Sequence, residues 1–482
     1  MIEGLNFIDG EWSDSPTKLA DINPSDTRDI VGRFAQASVS EVDRAADASR
    51  RAFPAWAATT PLERHDILQR VGAEILARKD ELGTLLSSEE GKTLAEGIGE
   101  CARAGQIFQY FAGECLRQAG EVLRSIRPSL DVSVVREPVG VIGIITPWNF
   151  PIAIPAWKIA PALAFGNCVV FKPSEIAPAT AYRLAEILAR SGLPNGVFNL
   201  VIGEGKDVGA AIASSPKLDG ISFTGSVGVG QTIARAAVAV PPMRRLQLEM
   251  GGKNALVVLD DADIERAVEC AANGGFYSTG QRCTASSRVI VTEGVYRQFI
   301  ARLAERAASL KVGHALDPQT QVGPVVDERQ LEKNLSYIDI GRNEGARLIV
   351  GGERLRRETP GYYFSPAVFA DVSPSMRIAR EEIFGPIVAV IAARDYAEAL
   401  AIANDSAFGL SAGICTSSLA RAEHFKRNVK AGMVMVNVPT AGVDFHVPFG
   451  GRKLSNYGPR EQGRQAHEFF TVTKTAYLDP MC

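Results

Sequence analysis

The sequence predicts an α/β protein built on two doubly wound, mostly parallel sheets, and three observations carry this prediction. From Val139 onward, short β-branched runs alternate with helical stretches, which is the rhythm of βαβ units. The same rhythm starts again after Gly251-Gly252, so the break between two units is expected near residue 250. The length of 482 residues allows about three domains and a large hydrophobic core.

Composition and charge exclude several classes of protein. Hydrophobic residues make up 46% and charged residues 22% of the chain, and its glycines and prolines follow no period. This excludes collagen-like and wholly disordered chains. The net charge of −3 provides no basic excess for binding a phosphate backbone, so nucleic acid is not an expected partner.

Cysteine and histidine spacing point to a reducing compartment and to no metal site. The seven cysteines are an odd, widely spaced set without a CxxC pair, which is not the pattern of a disulfide framework. The five histidines never fall at HxxxH spacing. There is neither a secretory leader nor an apolar run of the ~20 residues that a membrane helix needs. We therefore expect a cytoplasmic protein that does not enter a membrane.

The N-terminal part is expected to be turn-rich and then helical. Short strands are predicted around 6–8 and 29–34, and residues 40–120 are predicted to be helical. Two capping boxes mark helix starts, SEVD at 40–43 and TPLE at 60–63, the second with proline at the first helical position. After the second box, apolar residues at helical spacing form one face of a helix.

The two α/β units follow. In the first, strands are predicted at 139–146, 168–172, 197–203 and 220–224, with helices at 155–165, 178–192, 206–215 and 228–237. In the second, strands are predicted near 255–259, 288–291, 347–350, 387–391 and 433–438. Two alternating strands, 131–137 and 468–478, belong to neither unit. They are free to pair with each other or with the sheet edge of a neighbouring subunit.

Two glycine-rich stretches follow predicted strands. They are 203–209, a GxGxxxG, and the segment FTGSVGVG at 223–230. Either can present free backbone N–H groups to a pyrophosphate at the start of a helix. Neither matches GxGxxG with an acidic residue ~20 positions later, so a plain strand-to-helix turn is the alternative for each. A further motif, FKPSE, places Lys172 and Glu175 at the end of a predicted strand, where a carboxylate can accept hydrogen bonds from a ribose. A surface ion pair is the alternative there.

Three further segments carry residues suited to covalent catalysis. GQRCT at 280–284 contains Cys283, a candidate nucleophile if a cation such as Arg282 lowers the pKa of its thiol. Glu249 ends an apolar strand, where burial raises a carboxyl pKa toward that of a general base. Asn149 lies between aromatic residues and prolines and can donate to an oxyanion. The alternatives are an inert buried thiol, a salt bridge and a side chain that ties a turn.

These segments together resemble the NAD(P)-dependent aldehyde dehydrogenase superfamily. The motifs occur in order over almost the whole chain: TPWNFP, FKPSE, FTGS, LEMGGKN, GQRCTA, EEIFGP at 381–386, PFGG at 448–451 and PREQG at 459–463. The resemblance implies the fold of that family: two doubly wound parallel-sheet domains and a β-strand arm for oligomerisation. The implied NAD-binding domain is 1–119 with 139–250, the catalytic domain is 251–450, and the arm with the C-terminal segment is 120–138 and 451–482.

The resemblance also implies roles for single residues. Cys283 is the nucleophile, Glu249 the base that activates water, and Asn149 the oxyanion donor, with Lys158 and Glu461 as further catalytic groups. The implied cofactor is NAD, because the carboxylate of Glu175 would repel the 2′-phosphate of NADP. NADP is the alternative. The implied cofactor contacts are Thr146, Trp148, Lys172, Ser174, Glu175, Gly205, Phe223, Gly225, Ser226, Glu382 and Phe384, so the second glycine-rich stretch is preferred over the first.

The substrate is predicted less directly. The loop 437–446 and the segment around Cys283 are similar to α-ketoglutarate semialdehyde dehydrogenases, and the helix at 111–117 resembles the succinate semialdehyde branch. Expected substrate contacts are Phe150, Arg117, Trp157, Arg282 and Phe449, with Arg117 holding a carboxylate. The prediction is oxidation of a short carboxylated semialdehyde by a homodimer or homotetramer. Succinate or glutarate semialdehyde, a broad aldehyde range and a CoA-acylating enzyme are the alternatives.

Overall fold

The structure is a computed structural model that describes residues 1–117, 120–239 and 241–480. Cys482 lies outside these residues. Within them, no helix combines the length and the apolar character that crossing a membrane requires.

Helices and strands alternate along the described chain. The helices are α1 (Val39–Ala57), α2 (Pro61–Ala77), α3 (Lys79–Glu90), α4 (Leu94–Cys115), α5 (Ala153–Ala164), α6 (Ala179–Ala189), α7 (Ala210–Ser214), α8 (Val227–Ala239), α9 (Ile264–Phe276), α10 (Glu293–Ser309), α11 (Glu328–Asn343), α12 (Arg377–Arg380), α13 (Tyr396–Asn404), α14 (Leu419–Asn428) and α15 (His467–Phe470). The strands up to residue 250 are β1 (Ile2–Gly4), β2 (Asn6–Ile8), β3 (Glu11–Ser13), β4 (Lys18–Ile22), β5 (Ile30–Ala35), β6 (Glu121–Arg124), β7 (Asp131–Pro138), β8 (Val141–Ile145), β9 (Cys168–Lys172), β10 (Phe198–Leu200), β11 (Gly220–Gly225) and β12 (Arg245–Met250). The later strands are β13 (Ala255–Val258), β14 (Arg288–Thr292), β15 (Arg347–Val350), β16 (Ala367–Ala370), β17 (Ile387–Ala393), β18 (Phe408–Gly409), β19 (Ser411–Cys415), β20 (Met433–Val436), β21 (Arg452–Lys453), β22 (Asn456–Tyr457) and β23 (Thr471–Leu478).

Helix starts follow the capping chemistry, with one correction. The predicted box at 60–63 is formed: the Glu63 N–H donates to Thr60 Oγ1 at 3.3 Å, and the Thr60 N–H donates to Glu63 Oε2 at 2.7 Å. The box predicted to start at Ser40 is wrong. The cap is Ser38, whose N–H donates to Glu41 Oε2 at 2.8 Å, so α1 begins two residues earlier than that box implies. Each serine lies three positions before an acidic residue, Ser38 before Glu41 and Ser40 before Asp43, so sequence alone does not choose between the two caps.

The first sheet has eight strands in the order β22-β12-β11-β8-β9-β10-β2-β3. Its five central strands are parallel, as predicted, and antiparallel strands close both edges. From β8 the chain first adds β9 and β10 on one side and later β11 and β12 on the other. Residues 206–215 are not one helix as predicted but a π-helical turn, Gly205–Gly209, followed by α7.

The second sheet has seven strands in the order β15-β16-β17-β14-β13-β19-β20. Only the β15–β16 pair is antiparallel. The strands β16 and β19 were not predicted; their alanine, glycine and serine content hides them from a search for β-branched runs. Alternate residues of β13 enter different core clusters, Val257 on one face and Leu256 with Val258 on the other, so both faces are covered.

The two strands that belonged to neither predicted unit pair with each other. β23 lies antiparallel to β7 over its whole length, from Thr471 opposite Pro138 to Leu478 opposite Asp131, and β6 adds to the other edge of β7. Residues 467–470 are helical, so the observed strand starts at Thr471, three residues later than predicted. This three-stranded sheet and the turn between β6 and β7 expose apolar side chains, among them Val122 at 87% in β6 and Ile126 at 103% in the turn.

Candidate active site

Two neighbouring strands at the centre of the first sheet end beside one cavity. The strands β8 and β11 are adjacent, and the chain leaves them toward opposite sides of the sheet. Ligands of open α/β sheets bind at the carboxyl ends of strands at such a switch point. The loops after β8 and β11 line a cavity of about 220 Å³, which we call the front cavity. Its lining includes Trp148, Asn149, Thr224, Gly225, Ser226, Glu249, Cys283, Lys333, Glu382 and Phe384.

A second cavity of about 220 Å³, the rear cavity, lies on the other side of the same thiol. Trp157, Cys283 and Phe449 line both cavities. The rear cavity is also lined by Lys92, by Phe150, and by residues of α4 and of the segments 278–284 and 442–462, namely Glu96, Gly99, Glu100, Arg103, Ser278, Arg282, Thr284, Gly442, Val443 and Gln462. Cys283 is therefore accessible from two directions, which is what a reaction between two bound molecules requires.

Cys283 differs from the other described cysteines in its exposure. Of the six cysteines in the described residues, the other five are buried and Cys283 is half-buried. A thiol buried on all sides cannot reach a substrate, so exposure alone selects Cys283. The sequence prediction that singled out this residue agrees with its position.

A strained turn places Cys283 against the EEIFGP loop. Ser278 and Thr279 have φ of 48° and 55°, and Gly280 has φ of 65°. A Cβ on Gly280 would lie 2.3 Å from the carbonyl oxygen of Gly385, so only glycine allows this approach. Consecutive left-handed residues without a glycine are costly and cluster at functional sites.

The surroundings of Cys283 favour the protonated form of its thiol. Burial raises the pKa of Cys283 well above its ordinary value, and the nearby Glu382 and Glu249 carboxylates raise it further. The idea that Arg282 lowers this pKa is wrong, because Arg282 Nη2 donates to Glu96 Oε1 at 3.0 Å and to Ser278 Oγ at 2.8 Å. The adjacent cation is neutralised by a carboxylate of α4.

Asn149 is buried and is held through its side chain and its backbone. Its Nδ2 donates to the carbonyl oxygen of Gln281 at 2.9 Å, and its backbone carbonyl oxygen accepts from Lys92 Nζ at 2.6 Å. An amide nitrogen has two N–H groups, so one remains for a second acceptor. The bond to Gln281 ties this amide to the segment that carries Cys283, where an oxyanion on a carbon bound to sulfur would form.

Glu249 is a buried carboxyl with one unpartnered oxygen. It lies near the end of β12; Oε1 accepts a hydrogen bond from Asn456 Nδ2, and Oε2 has no partner among the described residues. Burial raises the pKa of Glu249 well above its ordinary value, and the charge of Glu461 raises it further. A carboxyl with a raised pKa and a free oxygen beside the cavity fits a general base for water.

Lys158 and Glu461 lie behind Glu249 rather than at a cavity wall. Lys158 is fully buried, forms an ion pair with Glu461 and donates to Ser222 Oγ at 3.0 Å. Neither residue lines the front or the rear cavity. Their charges act on the pKa of Glu249, and the catalytic role expected for Lys158 and Glu461 stays a prediction.

A larger cleft of about 840 Å³ lies beyond the front cavity, at the carboxyl ends of β8 and β9. Both glycine-rich stretches contribute to it, through Gly205 and Gly209 from one and Gly228 from the other. The predicted preference for the stretch 223–230 over the stretch 203–209 is therefore not needed, because both stretches line the same cleft. Gly225 and Ser226, at the start of α8, instead line the front cavity.

Glu175 faces this cleft as an ionised carboxylate. Its Oε2 lies 3.0 Å from Lys172 Nζ, and its Oε1 accepts from the Gly205 N–H at 3.4 Å. Burial acts to raise the pKa of Glu175, but Lys172 and the hydrogen bonds outweigh it, so the pKa is lowered. Lys172 does not line the cleft and acts through Glu175.

Three expected cofactor residues lie beneath the cavities rather than in their walls. Thr146 and Ser174 are buried at the ends of β8 and β9, and Phe223 is buried within β11. The Thr146 N–H donates to the carbonyl oxygen of Lys172, and Ser174 Oγ accepts from the Ile176 N–H. These contacts shape the strand ends, and the residues are not at a surface that a ligand can touch in this structure.

The wall of the front cavity opposite α8 comes from the EEIFGP loop. Trp148 and Phe384 meet edge to face with ring centroids 5.5 Å apart. Glu382 Oε1 accepts from the Gly252 N–H at 2.8 Å, and a Cβ on Gly251 would lie 2.1 Å from Glu382 Oε2. The glycines of LEMGGKN therefore make room for this carboxylate. The sequence did not reveal this contact, because the two motifs lie far apart in it.

Four of the five expected substrate residues line the rear cavity, and Arg117 does not. Phe150 and Arg282 line it, and Trp157 stacks on Phe449 with centroids 5.4 Å apart. The side chain of Arg117 is 67% exposed and pairs with Glu114 at 2.7 Å. The expectation for Arg117 is wrong because this residue lies beyond the C-terminal end of α4, whereas the cavity meets the N-terminal half of that helix.

The sequence reasoning missed the polar face of α4. Glu96, Gly99, Glu100 and Arg103 follow one another at the i, i+3, i+4, i+7 spacing of one helix face, and all four line the rear cavity. Charged residues on the inward face of an otherwise apolar helix were the available signal. Lys92, just before α4, was missed as well. It is 1% exposed and pairs with Glu100 at 2.7 Å.

Comparison with known proteins places these features in context. The model of the aldehyde dehydrogenase family matches residues 12–476. The chain is 44% identical to the α-ketoglutaric semialdehyde dehydrogenase of Bacillus subtilis, over 99% of this chain and 98% of that protein. It is also 44% identical to the α-ketoglutarate semialdehyde dehydrogenase of Haloferax volcanii, over 98% of both chains.

Solved structures are similar over the same span. Betaine aldehyde dehydrogenase from Staphylococcus aureus in complex with NAD⁺ matches with a TM-score of 0.96 and 35% identity, over 99% of this chain and 95% of that chain. The sequence resemblance and the predicted fold class are thereby confirmed.

Proposed function

Because the chain belongs to the aldehyde dehydrogenase family, we propose that this NAD(P)-dependent oxidoreductase converts α-ketoglutarate semialdehyde to α-ketoglutarate. The observation that carries the proposal is the position of Cys283 between two cavities. The rear cavity has three cationic side chains against two carboxylates, which favours an anionic substrate. The relatives that are 44% identical and named for this substrate support the same choice.

The chain's own residues supply the nucleophile, the oxyanion donors and the base, and the oxidation itself needs a hydride acceptor. Cys283 Sγ loses its proton to solvent and attacks the aldehyde carbon, which gives a hemithioacetal. Its oxyanion accepts hydrogen bonds from Asn149 Nδ2 and from the Cys283 N–H. NAD held by the residues of the front cavity and the neighbouring cleft would supply the acceptor for the hydride that leaves this carbon. Glu249 then takes a proton from the water that hydrolyses the resulting thioester, and the carboxylic acid product is released.

The residues around the cleft fit NAD. The cleft volume of about 840 Å³ lies within the range of cofactor sites. Glu175 would hold the hydroxyls of the adenine ribose, and the start of α8 with Gly225 and Ser226 would hold the pyrophosphate. Trp148, Glu382 and Phe384 would surround the nicotinamide and its ribose.

Glu175 is expected to set the preference for NAD over NADP. With Glu175→Gln, we expect the kcat/KM ratio of NAD to NADP to fall about tenfold, because a charge repulsion of ~1 kcal/mol or more with the 2′-phosphate is removed. Initial rates with each cofactor at saturating aldehyde measure this ratio. Glu204→Gln, another carboxyl lining the cleft, is the matched control. A ratio that Glu175→Gln leaves unchanged would assign cofactor choice to other residues.

Two alternatives are less well supported. A trimethylammonium aldehyde, the substrate type named for the Staphylococcus aureus structure, would need unpaired negative charge in the rear cavity. There, Glu96 and Glu100 are already paired with Arg282 and Lys92. A CoA-acylating enzyme has no need for a base that activates water, and Glu249 is buried with a free oxygen beside the thiol's cavity.

A substrate panel tests the proposal. We expect kcat/KM for α-ketoglutarate semialdehyde to exceed that for pentanal at least about tenfold, with succinate and glutarate semialdehydes between them and betaine aldehyde lowest. NADH formation without added CoA, with both cofactors, is the measurement. Betaine aldehyde as the best substrate, or a strict need for CoA, would contradict the proposal.

The sheet of β6, β7 and β23 is proposed as an arm that joins subunits. Its strands expose Val122 and Leu478, and the turn between β6 and β7 exposes Ile126; apolar patches of this kind mark interfaces. The proposed assembly is a homodimer or homotetramer. The proposed domains are an NAD-binding domain at 1–119 with 139–250, a catalytic domain at 251–450 that carries Cys283, and the arm with the C-terminal segment at 120–138 and 451–482. The unpaired cysteines of the described residues support a cytoplasmic location.

A further inference from the structure

The rear cavity contains one arginine without a protein partner. Arg103 has no hydrogen bond or ion pair among the described residues, although it lines the cavity. Burial lowers the pKa of Arg103, and the charges of Glu100 and Asp444 only partly oppose this. The guanidinium of Arg103 is half-buried and its N–H donors are not used by the protein, so they are free to bind an anion that enters the cavity.

The other two cations of the cavity are already engaged. Lys92 Nζ donates to Glu100 Oε2 at 2.7 Å and to the carbonyl oxygen of Asn149 at 2.6 Å. It also lies 4.0 Å from the centroid of the Phe150 ring. Arg282 uses its Nη2 on Glu96 and Ser278. Lys92 cannot turn to a substrate without leaving the buried Glu100 without its cation. The charge of Arg282 is paired with Glu96, although its Nε has no partner among the described residues.

The two carboxylates of α4 are equally committed. Glu100 accepts from Lys92 and from the N–H groups of Ile152 and Ala153, both at 3.1 Å. Glu96 accepts from Arg282 and from the Ser278 N–H at 2.8 Å. No carboxylate within ion-pairing distance competes for Arg103, and Asp444 is exposed to solvent.

Space is available beside Arg103. Gly99 lies one helical turn before it on the same face of α4, and a Cβ on Gly99 would meet no atom within 4 Å. In the loop across the cavity, a Cβ on Gly442 would likewise meet nothing within that distance. An elongated molecule can therefore extend from Cys283 past Trp157 and Phe449 toward Arg103.

We propose that Arg103 binds the carboxylate of the substrate at the far end of the rear cavity and so determines specificity for carboxylated aldehydes. This inference rests on the proposed function. A guanidinium offers two parallel N–H donors that match a carboxylate, which a lysine cannot reproduce. The carboxylate fixes one end of the substrate while Cys283 receives the aldehyde at the other. An aldehyde of the same length without a carboxylate gains nothing from Arg103.

Substitution of Arg103 tests this role. With Arg103→Gln, we expect KM for α-ketoglutarate semialdehyde to rise about 10- to 100-fold, while kcat/KM for pentanal changes less than about threefold. Arg103→Lys, which keeps the charge but loses the fork, should give an intermediate KM. Arg117→Gln is the matched control, because this exposed arginine outside the cavity should leave both substrates unaffected.

A second readout does not depend on turnover. Calorimetric titration of α-ketoglutarate into the enzyme should show binding at least about tenfold weaker in Arg103→Gln than in the wild type and unchanged in Arg117→Gln. If Arg103→Gln does not fold, as judged by its thermal transition, Arg103→Lys carries both measurements.

The possible results separate the two proposals. Equal losses for the carboxylated and the neutral aldehyde would make Arg103 structural and overturn the inference. So would an unchanged KM and unchanged α-ketoglutarate binding in a folded variant. If the wild type itself does not prefer carboxylated aldehydes, the proposed substrate is wrong, and the role of Arg103 fails with it.

Discussion

Replacing Cys283 with alanine is expected to lower steady-state NADH formation by at least about 10⁴-fold, because no other group can bind the aldehyde carbon covalently. Cys283 is the described thiol that reaches both cavities. The substitution removes a half-buried sulfur from a cavity wall, so the fold should be retained. Initial rates with the preferred aldehyde and NAD, together with the thermal transition of each protein, provide the measurement.

Cys115→Ala is the matched control for this experiment. Cys115 is buried at the end of α4 and lies away from both cavities. We expect its activity to stay within about twofold of the wild type, in line with a structural thiol. A Cys283→Ala protein that is folded and fully active would remove Cys283 from the mechanism.

Replacing Glu249 with glutamine is expected to stop the reaction after one turnover. The steps up to the thioester do not require activated water, so one NADH per active site should form in a rapid burst. Hydrolysis then loses its base, and the steady-state rate should fall about 10²- to 10⁴-fold. Stopped-flow absorbance of NADH separates the burst from the steady state.

The pH dependence provides an independent check on Glu249. Burial and the charge of Glu461 raise the pKa of Glu249, and a base works only when it is ionised. Activity of the wild type should therefore increase as the pH rises through this raised pKa, well above the range of an ordinary carboxyl, and Glu249→Gln should lose that rise. Glu265→Gln on the surface of α9 is the control. A steady-state rate equal to the wild type, or no burst in a folded protein that binds NAD, would contradict the assigned role.

Local chemistry was sufficient to predict much of the first sheet. The prediction for β9 matches its observed bounds, and those for β8 and β11 differ by one or two residues. These strands are β-branched, short and buried on both faces, which makes them visible in sequence. β16 and β19 are equally buried but rich in small residues, so their pairing with neighbours, rather than their own propensity, makes them strands.

The catalytic candidates were found because each belongs to a short motif with unusual chemistry. Cys283, Glu249 and Asn149 lie far apart in sequence, and the structure brings Glu249 and Asn149 into the wall of the cavity that Cys283 also lines. Arg117 was chosen from a local likeness in one helix and is wrong, since its side chain is exposed and paired with Glu114. Arg103, fourteen positions earlier, faces the cavity without a partner.

The sequence by itself determined the type of fold and the candidates for the nucleophilic thiol, the base and the carboxylate facing the cofactor cleft, because each depends on residue type and on spacing within a few positions. The tertiary structure decided which cations are neutralised and which one is left free. Lys92, Arg103 and Arg282 have the same charge in sequence. In the structure, Glu100 pairs with Lys92 and Glu96 pairs with Arg282, so Arg103 is the one of the three without a carboxylate partner among the described residues. Charge pairing between distant segments depends on distance and burial, which no local pattern records.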